Sequence, residues 1–258
     1  MQNRHQSVNR TTEKALNYIR QAILTGQFPA GTLLPTNNLA DEIGVSRTPI
    51  RDALRQLETE GLVTIAPRQE ARVKELTFED YKEMCELRIA LETHAAQLAA
   101  LRRTESDLEQ IRYHLDAMAA LVKAAASETE EEDERRTQAI AEADVAFHLA
   151  IIEASGNRLI KREAIRFRVI QSLVRLPRSV KTLREGAVER PWVQYRNRPA
   201  DVLQSHQDIF KAIRDQSSAR AYETMRDHLE SSLKVQLRIL RALKDQEMQR
   251  AMGHSLIP

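Results

Sequence analysis

Apolar residues recur at helical spacing along most of this chain. Leu16, Ile19, Ile23 and Leu24 fall three or four positions apart and predict a helix over 12–25, which Gly26 can end. The stretch FPAGTLLP that follows carries two prolines and a glycine and reads as a turn. Thr36 suits the N-cap of a short helix through Leu39, Ala40 and Ile43, stopped by Gly44. Ser46 suits the N-cap of the next, from about Arg47 to Glu60, with Ile50, Leu54 and Leu57 inward and Gly61 at its end. Leu62–Ala66 and Ala71–Glu75 are β-like and flank Pro67-Arg68-Gln69-Glu70, which predicts a two-stranded hairpin. Three helices and a hairpin, with a tight turn at Gly44-Val45, make a winged helix-turn-helix layout.

Beyond Thr77 the period is helical, with helices expected near 78–102, 105–126, 136–154, 157–176, 199–215 and 217–250. Ser155-Gly156-Asn157 reads as a helix stop followed by a helix start. Two stretches break the regularity. SETEEEDERR (127–136) reads as an acidic, solvated insertion between helices. The basic, Pro- and Gly-punctuated segment 177–199 reads as a loop with a short helix around Val180–Arg184. The expected fold is mostly α: an N-terminal winged helix-turn-helix and a C-terminal all-helical bundle.

Composition narrows the function classes. A length of 258 residues suits one or two domains, and 42% apolar with 29% charged residues is ordinary for a globular protein. Seven glycines and eight prolines are too few for the turns of an all-β chain. Aromatics at 4% leave the core to Leu, Ile, Val and Ala. A single cysteine, Cys85, excludes a disulfide scaffold and a multi-thiolate metal site, which fits a reducing cytosol. No signal peptide is expected in MQNRHQSVNRTT, and no apolar run is long enough for a membrane span. The net charge of +2 does not by itself point to nucleic acid.

The segment Gly44-Val45-Ser46-Arg47-Thr48-Pro49-Ile50-Arg51-Asp52-Ala53-Leu54 holds the first candidate chemistry. Arg47 and Arg51 are i and i+4 and share one face at the start of a helix. A recognition helix presents its N-terminal residues to the major groove, where arginine can make a bidentate contact to guanine. Ser46, Thr48 and the helix N-terminus suit phosphate oxygens. Arg68 and Gln69, at the hairpin tip, are placed to reach a neighbouring groove. Spacing alone reads equally well as a solvated helix face.

Residues 16–73 resemble the winged helix of GntR-type transcription regulators. The matching stretches are IRQAILTGQFPAGTLL, LADEIGVSRTPIRDALRQLETEGLV and PRQEARV. The resemblance implies that Arg47, Thr48 and Arg51 contact DNA. One departure is Glu70, which stands where the family's wing turn usually has glycine. A tight turn there can need positive φ, which glutamate tolerates poorly, and a carboxylate repels phosphate.

A second constellation lies in the helical half. Asp144 and His148 are four apart and share a face with Ile151 and Ile152. His206 sits among Leu203, Ile209 and Phe210, and His228 on the face of Met225 and Ser232. Three histidines and an aspartate on three helices suit a divalent transition ion. His94 and His114 occupy similar faces without an aspartate at i−4, so spacing leaves ordinary core histidines as the alternative. Residues 76–250 resemble the FCD effector domain of the FadR-type subgroup, through YKEMCELRIALETHAAQLAA, ADVAFHLAIIEASGN, SHQDIFKAI and AYETMRDHL. That resemblance implies a divalent metal (zinc, nickel or manganese) on Asp144, His148, His206 and His228, anchoring a small carboxylate effector. Arg88 stands as an effector-binding candidate, with a surface ion pair to Glu92 at i+4 as its alternative.

Together these readings give an expectation. Residues 1–75 form a DNA-binding domain, and residues 76–250 a metal- and effector-binding, dimerising one. The protein is a cytoplasmic, homodimeric, metabolite-responsive repressor of a pseudo-palindromic double-stranded DNA operator. The rivals are a metal-dependent enzyme on the helical half with an accessory winged helix, and an architectural DNA-binding protein without a ligand. The basic stretch 158–198, with twelve Lys/Arg against three Glu, reads as a solvated helix face plus a loop.

Overall fold

The structure is a computed structural model that describes residues 2–25, 27–75, 77–124, 130–171 and 199–254. It divides into two compact units. One holds the chain up to Tyr81 with a later segment beginning at Ile165; the other begins at Lys82.

The first unit is built from α1 (Gln2–Thr25), β1 (Leu33–Leu34), α2 (Thr36–Ile43), α3 (Arg47–Glu60), β2 (Val63–Thr64) and β3 (Ala71–Val73). Helix α1 starts ten residues earlier than its apolar pattern. Helix α2 begins at Thr36, with Pro35 rather than Thr36 in the N-cap position. Gly44 ends α2 with φ 72°, the left-handed conformation that only glycine adopts without cost. A Cβ at Gly44 would meet nothing within 4 Å, so the demand there is purely conformational. Gly61 ends α3 in the same way, with φ 81°. Ala15, Leu16, Ile19 and Ile23 of α1 are buried, as are Leu39 and Ile43 of α2 and Ile50, Ala53, Leu54 and Leu57 of α3.

The expected two-stranded hairpin is a three-stranded antiparallel sheet in the order β1-β3-β2. The FPAGTLLP segment turns only up to Thr32. Leu33 and Leu34 then pair with Arg72 and Ala71. The leucine pair alternates as a strand should, with Leu33 exposed and Leu34 buried. On its other edge, β3 pairs Val73 with Val63 and Arg72 with Thr64.

The second unit contains α4 (Phe78–Arg102), α5 (Glu105–Lys123), α6 (Glu130–Ala154), α7 (Arg158–Gln171), α8 (Pro199–Arg214) and α9 (Ser218–His254); α4 and α7 overlap both units. Thr104 and Asp107 cap α5 reciprocally: Thr104 Oγ1 accepts from the Asp107 N–H, and Asp107 accepts from the Thr104 N–H. Thr77 and Asp80 do the same at α4. Asn157 accepts the N–H groups of Leu159 and Ile160 at the start of α7, the expected stop and restart. Part of the acidic run expected between helices belongs to α6, which begins at Glu130. The short helix expected at Val180–Arg184, and most of the basic segment, lie outside the described residues.

The core of this unit is aliphatic, as the composition required. Phe147 and Ile151 of α6 pack with Ala96, Ala99 and Ala100 of α4, Ile111 and Met118 of α5, Ile209 of α8 and Met225 of α9. Burial of each of the larger of these side chains contributes about 1.5–3 kcal/mol. That packing brings the inner faces of α6, α8 and α9 to one point.

Candidate metal centre and nucleic-acid interface

In the first unit, α3 turns Ile50, Ala53, Leu54 and Leu57 inward, which leaves Arg47, Thr48 and Arg51 exposed. Ser46 occupies the N-cap position with extended backbone, and its side chain makes no capping hydrogen bond. Arg47, Arg51, Arg68 and Gln69 line one open groove between α3 and the β2–β3 turn. Ser46 and Thr48 are exposed on the first turn of α3 but do not line that groove. A fourth arginine does, Arg55. Its signal was present as Arg47, Arg51 and Arg55, an i, i+4, i+8 stripe. None of these four guanidinium groups forms an ion pair among the described residues. Glu70 stands on the groove's rim.

The wing turn departs from expectation. Gln69 N–H donates to Ala66 O, with Pro67 second in the turn and Arg68 third. The left-handed residue is Arg68, with φ 60°, and not Glu70. Proline at the second position with positive φ at the third is a type II pattern, which moves the demand for glycine two residues upstream.

In the second unit, Asp144 and His148 from α6, His206 from α8 and His228 from α9 converge. One ligand atom from each lies within 4.8 Å of every other. His206 Nε2 is 2.8 Å from Asp144 Oδ1, His148 Nε2 is 3.2 Å from His228 Nε2, and His148 Nε2 is 3.8 Å from Asp144 Oδ1. His148 and His206 are fully buried, and Asp144 nearly so. His94 is exposed against Gln97, and His114 stacks edge-on with Tyr113; neither joins the cluster.

The outer nitrogen of each ring faces an oxygen. His206 Nδ1 donates to Val202 O at 2.7 Å. His228 Nδ1 lies 2.9 Å from Ser205 Oγ, whose own hydroxyl donates to Val202 O, so the ring is the donor. His148 Nδ1 lies 2.7 Å from Glu92 Oε2, bent away from the ideal N–H direction. A neutral imidazole has one N–H. With the Nδ1–H groups of His206 and His228 spent outward and Nδ1 of His148 turned toward Glu92, three Nε2 lone pairs face inward beside a carboxylate. Nε2 atoms 3.2 Å apart on His148 and His228, and both His206 nitrogens against oxygens, leave the centre to a shared proton or a cation. The donor set fits a divalent transition metal, whose tetrahedral ligand atoms stand roughly 3.4 Å apart for bonds of 2.0–2.1 Å.

Protonation agrees with this. Burial pushes the His228 imidazole well below its usual range, and the neighbouring His206 and His148 push it further. Burial also lowers His148, against the opposing pull of Glu92 and Asp144. Burial raises Asp144, but His148 and then His206 more than offset it, and the carboxyl lies well below the ordinary carboxylate range. An anionic Asp144 beside neutral His148 and His228 is the form in which such groups ligate.

Glu92 was not legible as part of the site. It is 1% exposed, and its other oxygen accepts from Arg88 Nε at 2.8 Å. The Arg88–Glu92 pair at i+4 is therefore present, but it is buried rather than on the surface, with the two side chains 14% and 2% exposed.

Comparison with known proteins places this geometry. The pattern of the FCD domain matches residues 83–231, and that of bacterial regulatory proteins of the gntR family matches residues 11–73. The HTH-type transcriptional regulator LutR of Bacillus subtilis (strain 168) is 30% identical over 224 residues, 80% of this chain and 92% of LutR. The chain belongs to the GntR family, with an FCD domain. The galactonate operon transcriptional repressor of Escherichia coli (strain K12) is 26% identical, over 86% of this chain and 94% of that protein. Among solved structures, E. coli McbR/YncC superposes with a TM-score of 0.59 at 21% identity, covering 87% of this chain and 96% of its own. A putative GntR regulator from Rhodococcus sp. RHA1 gives 0.57 at 20% identity, over 92% and 98%. These two show the shared fold. This GntR-family chain is a DNA-binding transcriptional regulator and not an enzyme. No helix of the described residues is long and apolar enough to cross a membrane.

Proposed function

We propose that this GntR-family protein is a cytoplasmic, homodimeric repressor whose DNA affinity is set by a small carboxylate effector bound at a divalent metal. The observation that carries the metal reading is that all three Nδ1 atoms face oxygens away from the centre, two of them in hydrogen bonds. It leaves His148, His206 and His228 Nε2 and the Asp144 carboxylate as a convergent ligand set. Zinc, nickel and manganese are the ions of this class. The metal supplies a Lewis-acidic anchor for the effector carboxylate. Arg88 has its Nε on Glu92, and its Nη groups are assigned to the effector.

Residues 1–75 act as the DNA-binding head and residues 76–250 as the effector-binding and dimerising half. Arg47 and Arg51 read base edges from α3. Ser46, Thr48 and the helix N-terminus hold phosphates, and Arg68 and Gln69 reach a neighbouring groove. Two copies related by a two-fold axis read a pseudo-palindrome. Leu87 and Leu101 on α4 and Leu159 on α7 are exposed apolar residues that suit such an interface. The effector acts by favouring one arrangement of the two heads over another.

The experiment is selection from random-sequence duplexes with the full-length protein, followed by sequencing. Enrichment of a short inverted repeat, lost in Arg47→Ala and Arg51→Ala, is the expected result. Recovery without sequence preference refutes the operator reading.

A further inference from the structure

We infer that Glu92 is a positioning residue for the metal centre, fixing the tautomer and ring orientation of His148 and so setting the affinity of the Asp144–His148–His206–His228 quartet. The inference rests on the metal reading above, and its test separates the two.

Glu92 comes from α4, a helix that supplies none of the four ligands. Its Oε1 accepts from Arg88 Nε at 2.8 Å, and its Oε2 lies 2.7 Å from His148 Nδ1, an ion-pair contact that does not form a hydrogen bond in this geometry. A carboxylate this buried is stable only when it is paired. The pairing alone explains Arg88 but not the second oxygen. Glu92 Oε2 and His148 Nδ1 are both sealed from solvent, and they face each other.

The consequence is directional. A carboxylate at Nδ1 holds the proton there, which strips Nε2 of its proton and turns its lone pair to the centre. It also raises the basicity of the ring as a ligand. His206 and His228 are held by a backbone carbonyl and a hydroxyl, which are neutral acceptors. His148 alone of the three has an anionic one. Arg88 in turn holds Glu92 in place, so the chain Arg88–Glu92–His148 runs from α4 into the quartet.

The test compares full-length wild type, Glu92→Gln, Glu92→Ala and His206→Ala, each stripped of metal and titrated with cobalt(II). Affinity is read by chelator competition, geometry by the visible d–d bands, and fold by far-UV circular dichroism. Wild type is expected to take up one cobalt per chain. Glu92→Gln and Glu92→Ala, with unchanged dichroism, are expected to bind it about 10- to 100-fold more weakly. Their bands should shift, which a merely structural loss elsewhere would not produce. Wild-type affinity and wild-type bands in both Glu92 variants overturn the inference and leave the metal reading intact. A wild type that takes up no cobalt overturns the metal reading, and the inference with it. Should the variants fail to fold, long-range 1H–15N correlation on metal-free wild type decides. The Nδ1–H tautomer of His148 is expected there, and the Nε2–H tautomer overturns the inference.

Discussion

On the metal reading proposed above, removing the ion should cost this protein a large part of its thermal stability, and mass action sets the scale. The ligands come from α6, α8 and α9 and are already gathered within 4.8 Å, so little rearrangement opposes binding. A ligand that binds only the folded state stabilises it by about 4.1 kcal/mol when its free concentration is 1,000 times Kd. For a unit of this size each kcal/mol moves the midpoint by roughly 2–4 °C, giving a shift of about 8–16 °C. The assay is differential scanning calorimetry of the full chain, first with chelator and then with nickel(II) or zinc at rising concentration. The shift should grow with the logarithm of free metal. It should shrink in Asp144→Ala and His206→Ala, each of which leaves three ligands and a weaker site. A transition that ignores metal in the wild type refutes the reasoning. So does one that moves equally in both variants, because the ion then binds elsewhere.

Three further outcomes are expected. Arg47→Ala and Arg51→Ala should each weaken the selected operator by about 1–3 kcal/mol, roughly 5- to 150-fold, with unchanged circular dichroism; equal affinity in both would remove α3 from base reading. Arg55→Ala should weaken binding almost uniformly across sequences and lower the slope of log affinity against log salt by about one, measured by fluorescence anisotropy. The metal-free protein should lose stability as pH falls below about 6.5, the ordinary histidine value. His148 and His228 are depressed in the fold, so the unfolded chain takes up protons there that the folded chain does not. Chemical denaturation at pH 7.5 and 5.5 checks the sign, and saturating metal should steepen the loss because protons then compete with the ion.

What could be read from the chain, and what could not, follows from the range of each signal. Gly44 and Gly61 mark the ends of α2 and α3 because a left-handed cap is a local demand. Asp144 and His148 were legible as a pair because four residues make one helical turn. Strand β1 was missed because two residues are too few to show alternation against the prolines and glycine around them. Its pairing to Arg72 and Ala71 is decided from the far side of α3. Arg68 rather than Glu70 takes the positive φ because Pro67 fixes where the turn begins. Glu92 was missed for a different reason. Helix α4 carries Ala95, Ala96, Ala99 and Ala100, all fully buried, and alanine marks a buried face only weakly. A glutamate one turn before such residues looks exposed until the partner helix supplies His148.

The placement of Glu92 bears on how an effector can act at all. Moving a two-state equilibrium from 1:99 to 99:1 takes about 5.5 kcal/mol of preference for one state. A single charge-assisted hydrogen bond contributes about 1.5–3 kcal/mol, so an effector held only by one arginine cannot throw the switch. On the proposed reading, a carboxylate shared between the metal and Arg88 would engage α6, α8 and α9 through the ligands and α4 through the guanidinium. Only a contact set that spans those helices can prefer one packing of the bundle by the required amount. Arg88 belongs to that set because Glu92 ties it to His148, so a change in helix α4 is also a change at the metal. In this scheme the buried Arg88–Glu92–His148 chain is the physical link between effector occupancy and the arrangement of the bundle.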